Sequence, residues 1–224
     1  MPPPVAPAAK VSAPDGRACP VVDYFDLLRQ PRRPWIDPNQ LKNEFLAISS
    51  RVHPDKVHGG SDQEKQRAQQ RYTDLNSAYQ TLRQPKERLA HLLELHTGNK
   101  PPSIQSAPKQ WMDLFLEIGV LCREVDKFIE QKRQTTSPLV RVSCFARGQE
   151  LAEKVSALQQ LVRKRHEAAE IALRDLDREW QKKAGDQAPA ASLPLIELEE
   201  VYRTFSYLSR WSAQLQERLV QLAL

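Results

Sequence analysis

Four consecutive residues, His53, Pro54, Asp55 and Lys56, combine side-chain types that suit a recognition loop. The imidazole and the carboxylate offer hydrogen-bonding groups to a partner, and the lysine adds a cation. Pro54 fixes its own φ at about −65° and lacks a backbone donor, so it restrains the shape of the loop. The four residues therefore predict a docking tip. The alternative is that they only stop a helix at the surface, because so short a motif is weak by itself.

The elements on either side of the tip strengthen the docking interpretation. Before it, Asp37 can cap a helix that has Pro38 in its first turn. That helix carries an apolar stripe of period 3.6 formed by Leu41, Phe45, Ile48 and Val52. After the tip, Ser61 and Glu64 have the spacing of a capping box, which opens a second helix with Tyr72, Leu75, Tyr79 and Leu82 on its inner face. The tip is thus predicted to join two amphipathic helices.

Prolines, glycines and stretches without periodicity divide the rest of the chain into segments. Residues 1–20 form a Pro-rich tail without periodicity, predicted to be disordered, and residues 21–98 hold four helices, of which the last begins at Pro85 and ends at Gly98. Residues 99–110 carry three prolines and are predicted to be a linker. Residues 111–224 contain three longer helical patterns that should form an antiparallel bundle. The second of them, from about Pro138 to Trp180, carries a nearly heptad-spaced apolar seam: Leu151, Val155, Leu158, Val162, Ala169, Leu173, Leu176 and Trp180. Gly148 is predicted to break or bend this helix. The predicted fold class is all-α.

Hydropathy, cysteine spacing and charge argue against several classes of function. No run approaches the roughly 18 apolar residues of a membrane span, so no membrane partner is expected. Three cysteines without CxxC spacing indicate a reducing compartment, and cytoplasmic localisation is predicted. The net charge of +5 is spread among acidic residues without a basic stripe, which argues against nucleic acid. We find no defensible nucleophile and base, and no metal-ligand spacing, so neither an enzyme nor a cofactor is predicted.

The order of helices around HPDK, closed by LNSAYQTLRQPKERLAHLLEL, resembles the J-domain of DnaJ-type co-chaperones over residues 22–96. This resemblance implies that the tip and the helix before it dock on the ATPase domain of a DnaK-type chaperone and stimulate ATP hydrolysis. The chaperone-binding residues would be His53, Pro54, Asp55, Lys56, Lys42 and Arg51. J-domains usually carry more Lys and Arg on that helix, so electrostatic steering should be weaker here.

The whole chain resembles the HscB family of co-chaperones in iron–sulfur cluster assembly. The similar segments are DYF, LNSAYQTLRQPKERLAHLL, FLEIGVLCREVDKF and VYRTFSYLSRWSAQLQERL. The Gly/Phe-rich segment and zinc repeats of ordinary DnaJ proteins are absent from the sequence. This resemblance implies an N-terminal four-helix J-domain, a C-terminal three-helix bundle, and two partners: an HscA-type chaperone and an IscU-like scaffold protein.

The client surface is expected on the C-terminal bundle. By resemblance, Phe115, Leu116 and Tyr207 match HscB positions that contact the scaffold. The sequence adds a second apolar stripe of Met112, Leu116 and Val120 on the helix that begins near Trp111. The alternative is that these residues are core, as extra aromatic residues in a bundle commonly are. A J-protein that serves the general DnaK-type chaperone with another client, and a basic nucleic-acid-binding protein, are the remaining functional alternatives.

Overall fold

The computed structural model describes residues 21–53, 59, 61–102, 111–134, 138–183 and 193–223. Within these ranges the chain is helical and has no strand, which confirms the all-α prediction. The helices are α1 (Tyr24–Leu27), α2 (Pro38–Val52), α3 (Asp62–Arg83), α4 (Pro85–Thr97), α5 (Met112–Gln134), α6 (Pro138–Lys183) and α7 (Leu195–Ala223). None of the described helices combines the length and hydropathy of a membrane span.

The N-terminal helical unit, α1–α4, begins its helices where the caps predict. Asp37 Oδ1 accepts from the backbone N–H groups of Asn39 at 2.8 Å and Gln40 at 3.0 Å. Ser61 and Glu64 form the complete capping box, because the Ser61 N–H donates to Glu64 Oε2 at 2.8 Å and Ser61 Oγ accepts from the Glu64 N–H. Both caps satisfy backbone donors that a helix cannot pair internally. They fix the start of α2 and of α3.

The core of this unit lies between α1, α3 and α4, and Leu41 of α2 is buried as well. Its fully buried apolar residues are Phe25, Leu28, Ala78, Leu82, Leu89 and Leu92. Arg88 is buried among them and donates from Nε to the Pro34 carbonyl at 2.8 Å and from Nη1 to the Leu82 carbonyl at 2.7 Å. Burial lowers the pKa of Arg88 to about 10, so the guanidinium stays charged at neutral pH. α4 ends at Gly98, whose φ of 74° is in the left-handed region.

The C-terminal bundle, α5–α7, packs along the predicted seam of α6. Every residue of that seam is buried: Leu151, Val155, Leu158, Val162, Ala169, Leu173, Leu176 and Trp180. Gly148, where the sequence predicts a break or bend, lies inside the unbroken α6. A Cβ there would meet the Phe128 ring of α5 at 3.4 Å, so the glycine lets α5 approach α6 closely.

The two parts also contact each other. α4 packs against α7, and the segment between α1 and α2 contacts α6 near its C-terminal end. The predicted domain boundaries remain predictions, because residues 103–110 of the expected linker and the tail 1–20 lie outside the described residues.

Candidate functional site

The docking tip begins at the C-terminal end of α2. His53 caps that helix in an extended conformation, and its ring lies edge-on to Tyr72 of α3 with centroids 5.2 Å apart. Pro54, Asp55 and Lys56 lie outside the described residues, so their predicted roles stay predictions. The described geometry therefore places the first tip residue against α3, at the point where α2 ends.

The pairing of α2 with α3 supports this position. Leu41 is buried, and Phe45, Ile48 and Val52 are partly buried against the core, as the stripe predicts. The bonds from the Ser61 backbone and hydroxyl lower the pKa of Glu64, which keeps the capping carboxylate ionised where the chain enters α3. α2 and α3 are thus paired along their apolar stripes, and His53 lies where α2 ends.

The face of α2 that points away from α3 carries little charge. Lys42 and Arg51 are both exposed, but nine residues at about 100° each place them on opposite flanks of the helix. Between these flanks lie Asn43, Ala47 and Ser50, which are exposed, together with Leu46, which is 51% exposed. Leu46 is not among the predicted chaperone-binding residues, although the helical period places it away from the Leu41 stripe.

An exposed apolar surface lies on the first half of α5. We call the four exposed side chains Met112, Phe115, Leu116 and Val120 the α5 patch; Leu116 and Val120 are 55% and 56% exposed. Their spacing of three and four residues puts them on one face of the helix. Two of the three predicted client residues, Phe115 and Leu116, are therefore accessible.

Tyr207, the third predicted client residue, is only 3% exposed, which agrees with the alternative that it belongs to the core, and its assignment as a client-binding residue stays a prediction. Its ring packs on Trp211 with centroids 5.6 Å apart, and Trp211 in turn contacts Trp111 at 5.7 Å. Because Trp111 immediately precedes α5, this aromatic cluster anchors the start of α5 to α7. Tyr207 lies off the main stripe of α7, but a neighbouring helix covers that side as well.

A second group of residues joins the N-terminal helical unit to α6. Arg33 pairs with Asp177, and the Trp180 indole N–H donates to the Arg32 carbonyl at 3.1 Å. Sequence reasoning missed this group because the paired residues are 144 positions apart and no local pattern marks them. The described residues contain no group of three His, Cys, Asp or Glu side chains able to hold a metal ion.

Two histidines of α4, the buried His91 and the half-buried His96, also lie close to these contacts. His91 Nε2 accepts from the Tyr24 N–H at 3.1 Å, so this imidazole is neutral at that nitrogen. His96 packs edge-on against Trp180 with centroids 5.3 Å apart. Burial lowers the pKa of both histidines.

The described helices and surfaces define an all-α protein with His53 at the end of α2 in one unit and an exposed apolar patch on the other. The co-chaperone protein HscB of Proteus mirabilis is 39% identical over 74 residues, which are 33% of this chain and 43% of that protein. The HscB homolog of Burkholderia mallei is 42% identical over 72 residues, 32% of this chain and 41% of that protein. The matched stretch thus spans less than half the length of these curated relatives.

Solved structures extend the likeness over most of the chain. Human co-chaperone HscB superposes with a TM-score of 0.55 at 18% identity, covering 89% of this chain and 86% of that chain. HscB from Vibrio cholerae gives 0.51 at 20% identity, covering 90% and 99%. No family model matches the chain. The protein is therefore HscB-like, in sequence over about a third of its length and in fold over nearly all of it.

Proposed function

We propose that this protein is a co-chaperone of iron–sulfur cluster assembly that docks on a DnaK/HscA-type chaperone through the 53–56 tip and the exposed face of α2. The observation that carries the proposal is the position of His53 at the junction of two capped, paired helices. The similarity to proteins named HscB co-chaperones supports the same role. The chain would hydrolyse no ATP and would act by binding the chaperone.

The arrangement suits docking because His53 and α2 are held in place before any partner binds. His53 packs on Tyr72, and α2 is held along its length by α3. A restrained binding element loses less conformational entropy on association than a loose loop does. The interaction energy is then available to favour the chaperone state that hydrolyses ATP.

The α5 patch is the proposed surface for an IscU-like scaffold client. Phe115 and Leu116 would contact the scaffold directly, with Met112 and Val120 beside them. Single exposed apolar residues are common on protein surfaces, but these four lie next to one another on one helix. Contiguous apolar patches of this kind mark interaction sites. Tyr207 would act from beneath, through the Trp211–Trp111 cluster that holds the start of α5.

Single-turnover ATPase assays with an HscA-type and a general DnaK-type chaperone test the proposal. The wild type should stimulate one of them, and His53→Gln should abolish the stimulation while the thermal melt is unchanged. Arg83→Gln is the matched control, because this exposed residue lies at the far end of α3 from the tip. Stimulation that survives His53→Gln would defeat the docking assignment. Stimulation of the general chaperone alone would favour an unrelated client.

A further inference from the structure

The two halves of the molecule meet at a buried carboxylate. Asp177 of α6 is 2% exposed and accepts from Arg33 Nε at 2.9 Å, with Arg33 Nη2 bonded to its other oxygen. It also accepts from the backbone N–H of Trp35 at 3.2 Å and from Gln181 Nε2 at 2.7 Å. Three of these four bonds come from the segment before α2, so one carboxylate joins the two halves.

Neighbouring contacts hold the same segment. The Trp180 indole donates to the Arg32 carbonyl, and the Arg174 guanidinium lies 5.5 Å from the centroid of the Trp35 ring. A buried ion pair is a poor source of net stability, since desolvation offsets its attraction. A bidentate Arg–carboxylate pair, however, forms only in a narrow range of relative orientations. The arrangement is therefore suited to fixing an angle between elements.

Asp177 binds the chain immediately before α2, the helix that carries the proposed docking surface. Trp35, whose N–H it accepts, is two residues before Asp37, the N-cap of α2, and Ile36 between them is buried. The start of α2 is thus attached to α6 through almost no intervening chain. At about 1.5 Å per residue, the 15 residues of α2 transmit any tilt at that end over roughly 22 Å to His53.

We propose that Asp177 is a positioning residue that fixes the α2 docking face and tip relative to the C-terminal bundle. This inference rests on the proposed function. Asp177 would then determine the position of a client on the α5 patch relative to the docked chaperone. Joining two binding surfaces at a fixed separation raises the effective concentration of one partner near the other. Loss of the bonds to Asp177 should therefore reduce the ATPase stimulation that depends on the client. It should leave unchanged the ATPase stimulation that needs only the tip.

The test compares Asp177→Asn with Asp175→Asn in the full-length protein. Asp175 is an exposed carboxylate two residues away on the same helix, paired only with the exposed Arg178 in the described structure, so it controls for the change of charge. Small-angle scattering measures the orientation of the two halves. ATPase stimulation is measured with and without an IscU-like scaffold.

We expect Asp177→Asn to broaden the distribution of interatomic distances that scattering measures. It should also lower the scaffold-dependent gain in ATPase stimulation about tenfold, while scaffold-free stimulation stays within about twofold of the wild type. Asp175→Asn should match the wild type in every assay. Unchanged scattering by Asp177→Asn, or a broadened distribution with an undiminished gain, would overturn the inference. If Asp177→Asn fails to fold, Arg33→Gln, at a partly exposed position, gives the same reading. If the wild type stimulates no chaperone, the proposed function fails, and scattering still decides whether Asp177 sets the orientation.

Discussion

The ring of Phe45 in α2 stacks on the ring of Tyr79 in α3, with centroids 4.3 Å apart and planes inclined by 16°. This contact joins the two helices that carry the docking tip, in the middle of their shared interface. Stacking of two aromatic rings adds to the energy gained by burying them. The position of His53 therefore depends on a contact about two turns of helix away from it.

Phe45→Ala should lower the free energy of unfolding by about 2 to 3 kcal/mol, because it removes a partly buried ring and its stacking contact with Tyr79. Urea denaturation measures the change. Phe145→Ala is the matched control, since Phe145 is 77% exposed and its loss should cost less than about 0.5 kcal/mol. Equal effects of the two substitutions would contradict the importance of the α2–α3 contact.

Tyr207 and Leu116 should respond oppositely to truncation. Tyr207→Ala removes a buried ring from the Trp211–Trp111 cluster and should cost about 3 kcal/mol or more of stability. Leu116→Ala should leave the melt nearly unchanged and weaken scaffold binding by about 1 to 2 kcal/mol. Calorimetric titration beside a thermal melt separates the two effects. A stable Tyr207→Ala protein with weakened binding would restore Tyr207 as a direct contact.

Gly119→Ala should stabilise α5 by about 0.5 to 1 kcal/mol, because alanine favours the helix over glycine by that amount. A Cβ at this position would meet only the flexible end of Arg123, at 3.6 Å, which is ordinary contact. A thermal melt measures the gain. The matched substitution Gly148→Ala should gain less or lose stability, because its Cβ meets the Phe128 ring at 3.4 Å.

The protein should lose stability in mild acid. Burial lowers the pKa of His91 and of His96 in the folded state, although the carboxylates of Asp23 and Glu94 raise that of His91. The unfolded chain therefore binds protons first, and stability that is complete above about pH 6.5 declines as the pH falls. The free energy of unfolding should be lower at about pH 5.5 than at pH 7.5. His91→Gln should reduce this difference, and a difference that is unaffected would remove His91 as its source.

Docking on the chaperone should depend only weakly on salt. The exposed face of α2 places Leu46 between the flanks that carry Lys42 and Arg51, so its centre is uncharged. Leu46→Ser should weaken chaperone binding by about 1 kcal/mol or more, and raising NaCl from about 0.05 to 0.3 M should change the Kd less than about threefold. Lys42→Gln is the matched control on the flank. A steep salt dependence with no effect of Leu46→Ser would reverse this view of the interface.

The sequence could predict the features of this fold that depend on near neighbours. The caps at Asp37 and Ser61 and the seam of α6 are confirmed, because each arises from residues within a few turns of one helix. The seven helices in the described part of the chain follow from the same local patterns. The tip residues Pro54, Asp55 and Lys56, the domain boundaries and the cytoplasmic localisation stay predictions.

Features that depend on which helices meet could not be predicted in this way. Tyr207 lies off the main stripe of its helix, and only the packing of the bundle shows that this side is covered too. The Arg33–Asp177 pair depends on the approach of two segments that are far apart in the chain. Helical periodicity identifies an apolar face but does not show what covers it.

The buried Arg88 bears on the order in which the N-terminal helical unit folds. Its guanidinium is bonded to the carbonyls of Pro34 and Leu82, which belong to different segments. A charged group loses its hydration only when its acceptors can replace the water, so both segments must already be in place. The bonds of Arg88 should thus form after the transition state, and their removal should speed unfolding much more than it slows folding.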